Sequence, residues 1–127
     1  MFYLTKIENA RMSVPEPEYL DVGSTAIEAG QTLALSAGKL VKETAAPVYI
    51  AAANAAANAA GVPVYRITKD MVFEVPVSAA PTSIKVGDKV TVNTDGVQVT
   101  ATTSNGIATI VSLNGAKAAG DTIIVRF

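Results

Sequence analysis

From Gly23 onward the chain is punctuated every few residues by glycine, proline, asparagine or aspartate, and the apolar phrases between these marks tend to alternate. Such a pattern reads as short strands joined by tight turns, the organisation of a small β-barrel or sandwich. Gln31-Thr32-Leu33-Ala34-Leu35 alternates, Ser36-Ala37-Gly38 supplies a turn and Lys39-Leu40-Val41-Lys42 returns, which together predict a hairpin. Residues 47–50 and 63–67 predict two strands that open on proline, where a missing N–H is tolerated. Residues 71–77 place Met71, Phe73, Val75 and Val77 on one face. Lys89-Val90-Thr91-Val92, the turn Asn93-Thr94-Asp95-Gly96 and Val97-Gln98-Val99-Thr100-Ala101 give the clearest hairpin signal. Asn105-Gly106 and Asn114-Gly115 bracket a strand over 107–113, and residues 121–127 predict the last one. The spacing Gly30-x-x-Leu33-x-Leu35 returns as Gly87-x-x-Val90-x-Val92, an echo that any two hairpin entries could produce.

The chain has 127 residues, which suits one domain with one main core, taken here as residues 23–127. The one helical candidate is the alanine-rich run over residues 51–61, since alanine has the highest helix propensity and Gly61 and Pro63 would stop it. About ten residues are marginal for a helix without a packed face, so helix and loop both stay open there.

Residues 1–22 read as an extended N-terminal arm, because Pro15 and Pro17 hold their neighbours stretched. Phe2, Tyr3, Leu4, Ile7, Met12 and Tyr19 give this arm more apolar area than a free segment keeps in water. Its resting place is either its own domain or another chain. The intermolecular reading makes these six residues, with Pro15 and Pro17 as stiffeners, the candidate protein interface.

Catalysis has little to work with. The sequence contains neither histidine nor cysteine, so the usual general bases, thiol nucleophiles and nitrogen or sulfur metal ligands are missing. Lys69-Asp70 and Asp88-Lys89 read as solvated turn charges, and Glu16 and Glu18, each preceded by a proline of the arm, lie where no pocket would make them an acid/base pair. Asp95 and Asp121 stand beside turn glycines, where aspartate bonds its own backbone. No cofactor and no metal are expected. With a net charge of -1 and dispersed Lys and Arg, nucleic-acid binding is not expected either. The longest apolar stretch is the alanine run, too short for a membrane helix, and the N-terminus has no secretory pattern, so synthesis in a cytoplasm is the simplest expectation. Tyr49 and Tyr65 occupy matching places in Pro-Val-Tyr phrases and read as packed side chains with hydroxyls at an edge.

Several phrases together resemble the small capsid decoration (head auxiliary) proteins of tailed phages: residues 27–35, 38–42, 47–50, 62–67 and the close Gly120-Asp121-Thr122-Ile123-Ile124-Val125-Arg126-Phe127. The similarity covers most of residues 23–127, and the alanine run departs from the more polar link usual in that family. The resemblance implies a compact β-barrel, β-tulip or sandwich body. It further implies a non-enzymatic virion protein that sits as a homotrimer on the outside of the expanded head, binds the major capsid protein and stabilises the shell. A phage tail or fibre module and a carbohydrate-binding β module are the alternatives; the absence of Trp counts against the second.

Overall fold

The computed structural model describes residues 1–8 and 15–127. Among them the fold is all-β, with no helix: β1 (Tyr3–Ile7), β2 (Glu18–Leu20), β3 (Thr32–Ser36), β4 (Lys39–Lys42), β5 (Tyr49–Ala51), β6 (Val62–Arg66), β7 (Met71–Pro76), β8 (Lys89–Val90), β9 (Ala108–Ser112) and β10 (Thr122–Arg126). They form two five-stranded sheets, β1-β7-β10-β9-β8 and β2-β6-β5-β3-β4, with every neighbour antiparallel. Neither sheet closes on itself, so of the expected architectures the open sandwich is the one adopted and the barrel is not.

The β3–β4 hairpin forms one residue displaced, with Ser36 paired to Lys39 instead of lying in the turn, and the two-residue turn puts Ala37 and Gly38 at φ 49° and 77°. That pair of positive φ values gives the turn the twist its strands require. The hairpin expected over 89–101 is only partly realised. Asn93 N–H donates to Gln98 (2.8 Å) and Thr100 N–H to Thr91 (2.9 Å), but the return segment meets Val92 and Val77 only at isolated bridges through Val99. β8 instead pairs with β9. Local turn chemistry set the bend, and the exposed edge of β9 captured the strand.

Two hydrophobic clusters replace the single core expected. One gathers Phe2, Phe73, Val75, Ile110, Ile123 and Val125 on the inner face of the first sheet. The other gathers Val22, Ile27, Leu33, Leu40, Val62 and Val64 on the second. Strand β5 belongs to both: Tyr49 and Ala51 lie in the second cluster and Ile50 between them in the first. Successive strand residues point to opposite faces, so β5 is covered on both sides. Each fully buried Val, Ile, Leu or Phe in such clusters contributes roughly 1.5–3 kcal/mol.

The alanine run is a loop that roofs the second cluster. Its backbone is committed elsewhere: Ile27 and Ala55 exchange bonds of 2.9 and 3.0 Å, Val22 N–H donates to Ala59 (2.8 Å), and Asn58 N–H donates to Gly23 (2.8 Å). Asn54 Oδ1 accepts from Ala29 N–H at 2.7 Å. Ala55 and Ala59 pack on the cluster below. Small side chains permit this close backbone approach, and long-range pairing overrides the weak helix propensity.

Candidate interaction surface

The N-terminal segment is extended, as expected, but it does not stand off the body. Strand β1 pairs with β7 from Tyr3↔Glu74 to Ile7↔Met71, and β2 pairs with β6. The presumed arm therefore supplies one edge strand to each sheet, and the division into arm and body at residue 22 does not hold. Phe2 is 2% exposed. Its ring lies 6.1 Å from that of Phe73 and 5.4 Å from that of Phe127, with Phe73 and Phe127 5.7 Å apart. All three phenylalanines of the chain thus meet in one cluster, edge-to-face where Phe73 meets Phe2 and Phe127, the geometry aromatic quadrupoles favour, and tilted between Phe2 and Phe127.

Three further contacts hold this corner. Phe2 N–H donates to Gly30 carbonyl oxygen at 2.9 Å, and a Cβ on Gly30 would lie 2.5 Å from Met1 Cβ, so only glycine lets the N-terminus seat there. On the outer face, Glu8 takes both Arg126 guanidinium nitrogens at 3.0 and 2.9 Å, which bridges from the end of β1 over β7 to β10. Hydrogen bonding to Arg126 holds the Glu8 carboxyl below its ordinary range. At the second sheet, Glu18 takes Arg66 through two bonds of 2.9 Å while Arg66 lies 5.0 Å over the ring of Tyr49 and donates to its hydroxyl. Glu18 is a structural ion-pair partner.

The eight residues expected at an interface separate accordingly. Phe2 is core; Leu4 and Ile7 are half-buried against the same cluster. Pro15 and Pro17 are half-buried, and Met12 lies outside the described residues. Tyr3 and Tyr19 alone keep large exposed rings, at 58% and 66%. The physical reason is that the free edge of β7 takes β1 as a ladder partner, which carries Phe2 into the cluster of its own domain.

Between Met1, Tyr3 and Leu4 on one side and Ile50, Ala52 and Tyr65 on the other runs an apolar cleft of about 270 Å³. Tyr65 faces Ile50 across the β5–β6 ladder, and Tyr19 faces Pro63 across β2–β6. Directly opposed residues share a face, as do i and i+2, so Tyr19, Pro63 and Tyr65 lie on the face of the second sheet whose inner end is the buried Ile50. Tyr65 and Pro63 were not singled out from sequence as surface residues; the alternation Val62-Pro63-Val64-Tyr65 is the signal that puts them opposite the buried valines.

No family model and no curated protein sequence matches the chain. Among the described residues no group of three or more acidic side chains is placed to hold a metal ion. The turn carboxylates serve their own backbone: Asp95 accepts from Val97 and Gln98 N–H, Asp121 from Lys117 and Ala118 N–H, and Asp88 from Lys85 N–H. What the corner offers chemically is apolar and aromatic area with phenolic hydroxyls at its rim. Burial lowers the pKa of the Met1 amine beside it, against the opposing pull of Asp95 and Glu28.

Proposed function

We propose that this protein is a structural decoration protein of a tailed phage, bound outside the expanded head as a homotrimer on the major capsid protein, where it stabilises the shell. It works by binding and not by catalysis. The observation that carries the reading is the tyrosine surface. Tyr3 on the edge strand of one sheet and Tyr19 on the edge strand of the other stay more than half exposed, and Tyr65 is half-buried, on a body that packs Tyr49 and the phenylalanines. Tyrosine supplies large rigid contact area with a polar tip and is enriched at the centres of protein interfaces. Strands β1 and β2 are both sheet edges at this corner, so a neighbouring chain could add a strand to either. Copies repeated over a shell would turn modest single contacts into firm attachment.

The test is attachment of purified protein to expanded heads that lack it, with the position of bound copies read by cryo-electron microscopy. Tyr3→Ser combined with Tyr19→Ser should weaken attachment by about tenfold or more while leaving the melting temperature nearly unchanged. Undiminished occupancy by the double variant, or density on tails only, would remove the proposal. The same tyrosines favour one other reading, stacking against sugar rings in the cleft. Binding of the wild-type protein to a glycan array, lost in the double variant and accompanied by no attachment to heads, would select it.

A further inference from the structure

Two Asn-Gly pairs lie in the first sheet's loops, Asn105-Gly106 before β9 and Asn114-Gly115 between β9 and β10. Both asparagines are exposed and left-handed, with φ of 59° and 52°. In such a pair the glycine amide nitrogen can attack the asparagine side-chain carbonyl carbon, because glycine has no Cβ to obstruct the approach. The two glycines differ in their freedom to do so. Gly106 N–H donates to Thr103 carbonyl oxygen at 3.1 Å, and a Cβ at Gly106 would overlap the Lys89 carbonyl, so this backbone is wedged against β8. The neighbouring Ile107 N–H is also bound, to Val90 at 2.9 Å. Gly115 is exposed, has open space where a Cβ would stand, and among the described residues no acceptor faces its N–H. Its turn is closed by one backbone bond, Ala116 N–H to Leu113 (2.9 Å), and by Asn114 N–H donating to Ser112 Oγ (3.1 Å).

We propose that Asn114 is a site of spontaneous covalent modification, deamidating in the folded protein while Asn105 is protected by its packing. The Gly115 nitrogen, having lost its proton to solvent base, bonds to Asn114 Cγ. The side-chain amide nitrogen leaves as ammonia, and a five-membered succinimide results. Water then opens either carbonyl, giving aspartate or, with one more methylene in the main chain, isoaspartate. No oxidant, reductant or enzyme is needed. Only the exposed turn has to rotate, since the strands on either side keep their ladder. Each event makes the protein one unit more negative at the tip of the β9–β10 turn. The isoaspartate product also lengthens the backbone of a turn that joins two neighbouring strands.

The experiment is to incubate the folded protein at mildly alkaline pH and follow both sites by peptide mapping. Fragmentation must separate Asn105 from Asn114, and chromatography must resolve aspartate from isoaspartate. Conversion at Asn114 is expected to be at least about tenfold faster than at Asn105, with both products present and the gap closing in denaturant. Equal rates in the folded protein overturn the proposal. So does an Asn114 that stays intact over a time in which denatured protein converts. Asn114→Gln should abolish the acidic species formed by folded protein; persistence of that species places the chemistry elsewhere.

Discussion

Charged residues in this protein hold strands and turns together, and that gives it a definite response to acid. Glu8 is the clearest case: hydrogen bonding to Arg126 lowers its pKa below the ordinary 4.5. A carboxyl whose folded pKa is depressed adds stability that is fully present above its unfolded value and lost as pH falls through the folded one. Asp21, Glu43 and Asp121 are lowered as well, each chiefly by backbone N–H donors: Gly61, Ala45 and Lys117 respectively. The melting temperature should therefore hold from neutral pH down to the ordinary carboxylate range and fall below it, and Glu8→Gln should make that fall shallower. An identical acid limb in the variant means that the bridge to Arg126 contributes nothing. The roles of Asp95 and Asp121 are legible in sequence because their partners sit two to four residues away. Glu8 and Arg126 are 118 residues apart, and no local pattern announces their meeting.

Strand β1 is the element whose place sequence leaves open. Its residues show the apolar content that demands burial, but five positions with a register shift between Leu4 and Lys6 carry no clean period of two to name the partner strand. The structure gives it β7 as partner and Phe2 as anchor. Removing residues 1–8 should consequently lower unfolding free energy by more than ~3 kcal/mol, the scale of losing a buried Phe, before counting the lost ladder. Urea denaturation followed by far-UV circular dichroism checks this, and an unchanged midpoint would make β1 dispensable to the domain. The alanine loop illustrates the opposite limit. Its composition speaks for helix, whereas its fate is decided by backbone groups of residues 22–29 that are distant in sequence. Where both halves of a pair are local, as in β3–β4, the strands are read to within one residue, with Ser36 moving from the expected turn into the ladder.

Taken whole, the molecule has two apolar clusters that share a strand. Composition gives no sign of this, since Val, Ile and Leu serve either cluster equally well; the sign is that Tyr49, Ile50 and Ala51 are all buried, without alternation. Because Ile50 faces one cluster and Tyr49 the other, neither can open without disturbing β5. Ile50→Ala and Leu33→Ala should each shift one common transition, with tyrosine fluorescence and far-UV circular dichroism coinciding. Two resolved transitions would mean that the sheets unfold independently. The tyrosine surface lies over the same junction, through Ile50 and Tyr65, so an attached neighbour would brace both halves together. The directions of β1 and β10 decide how the molecule could carry fused cargo. Both run antiparallel to β7, so they lie parallel to each other, and Met1 stands near the Pro76 end of β7 while Phe127 stands near its Met71 end. Cargo fused ahead of Met1 and cargo fused after Phe127 would therefore leave from opposite ends of β7, so a split reporter appended through short linkers should reassemble between molecules and not within one.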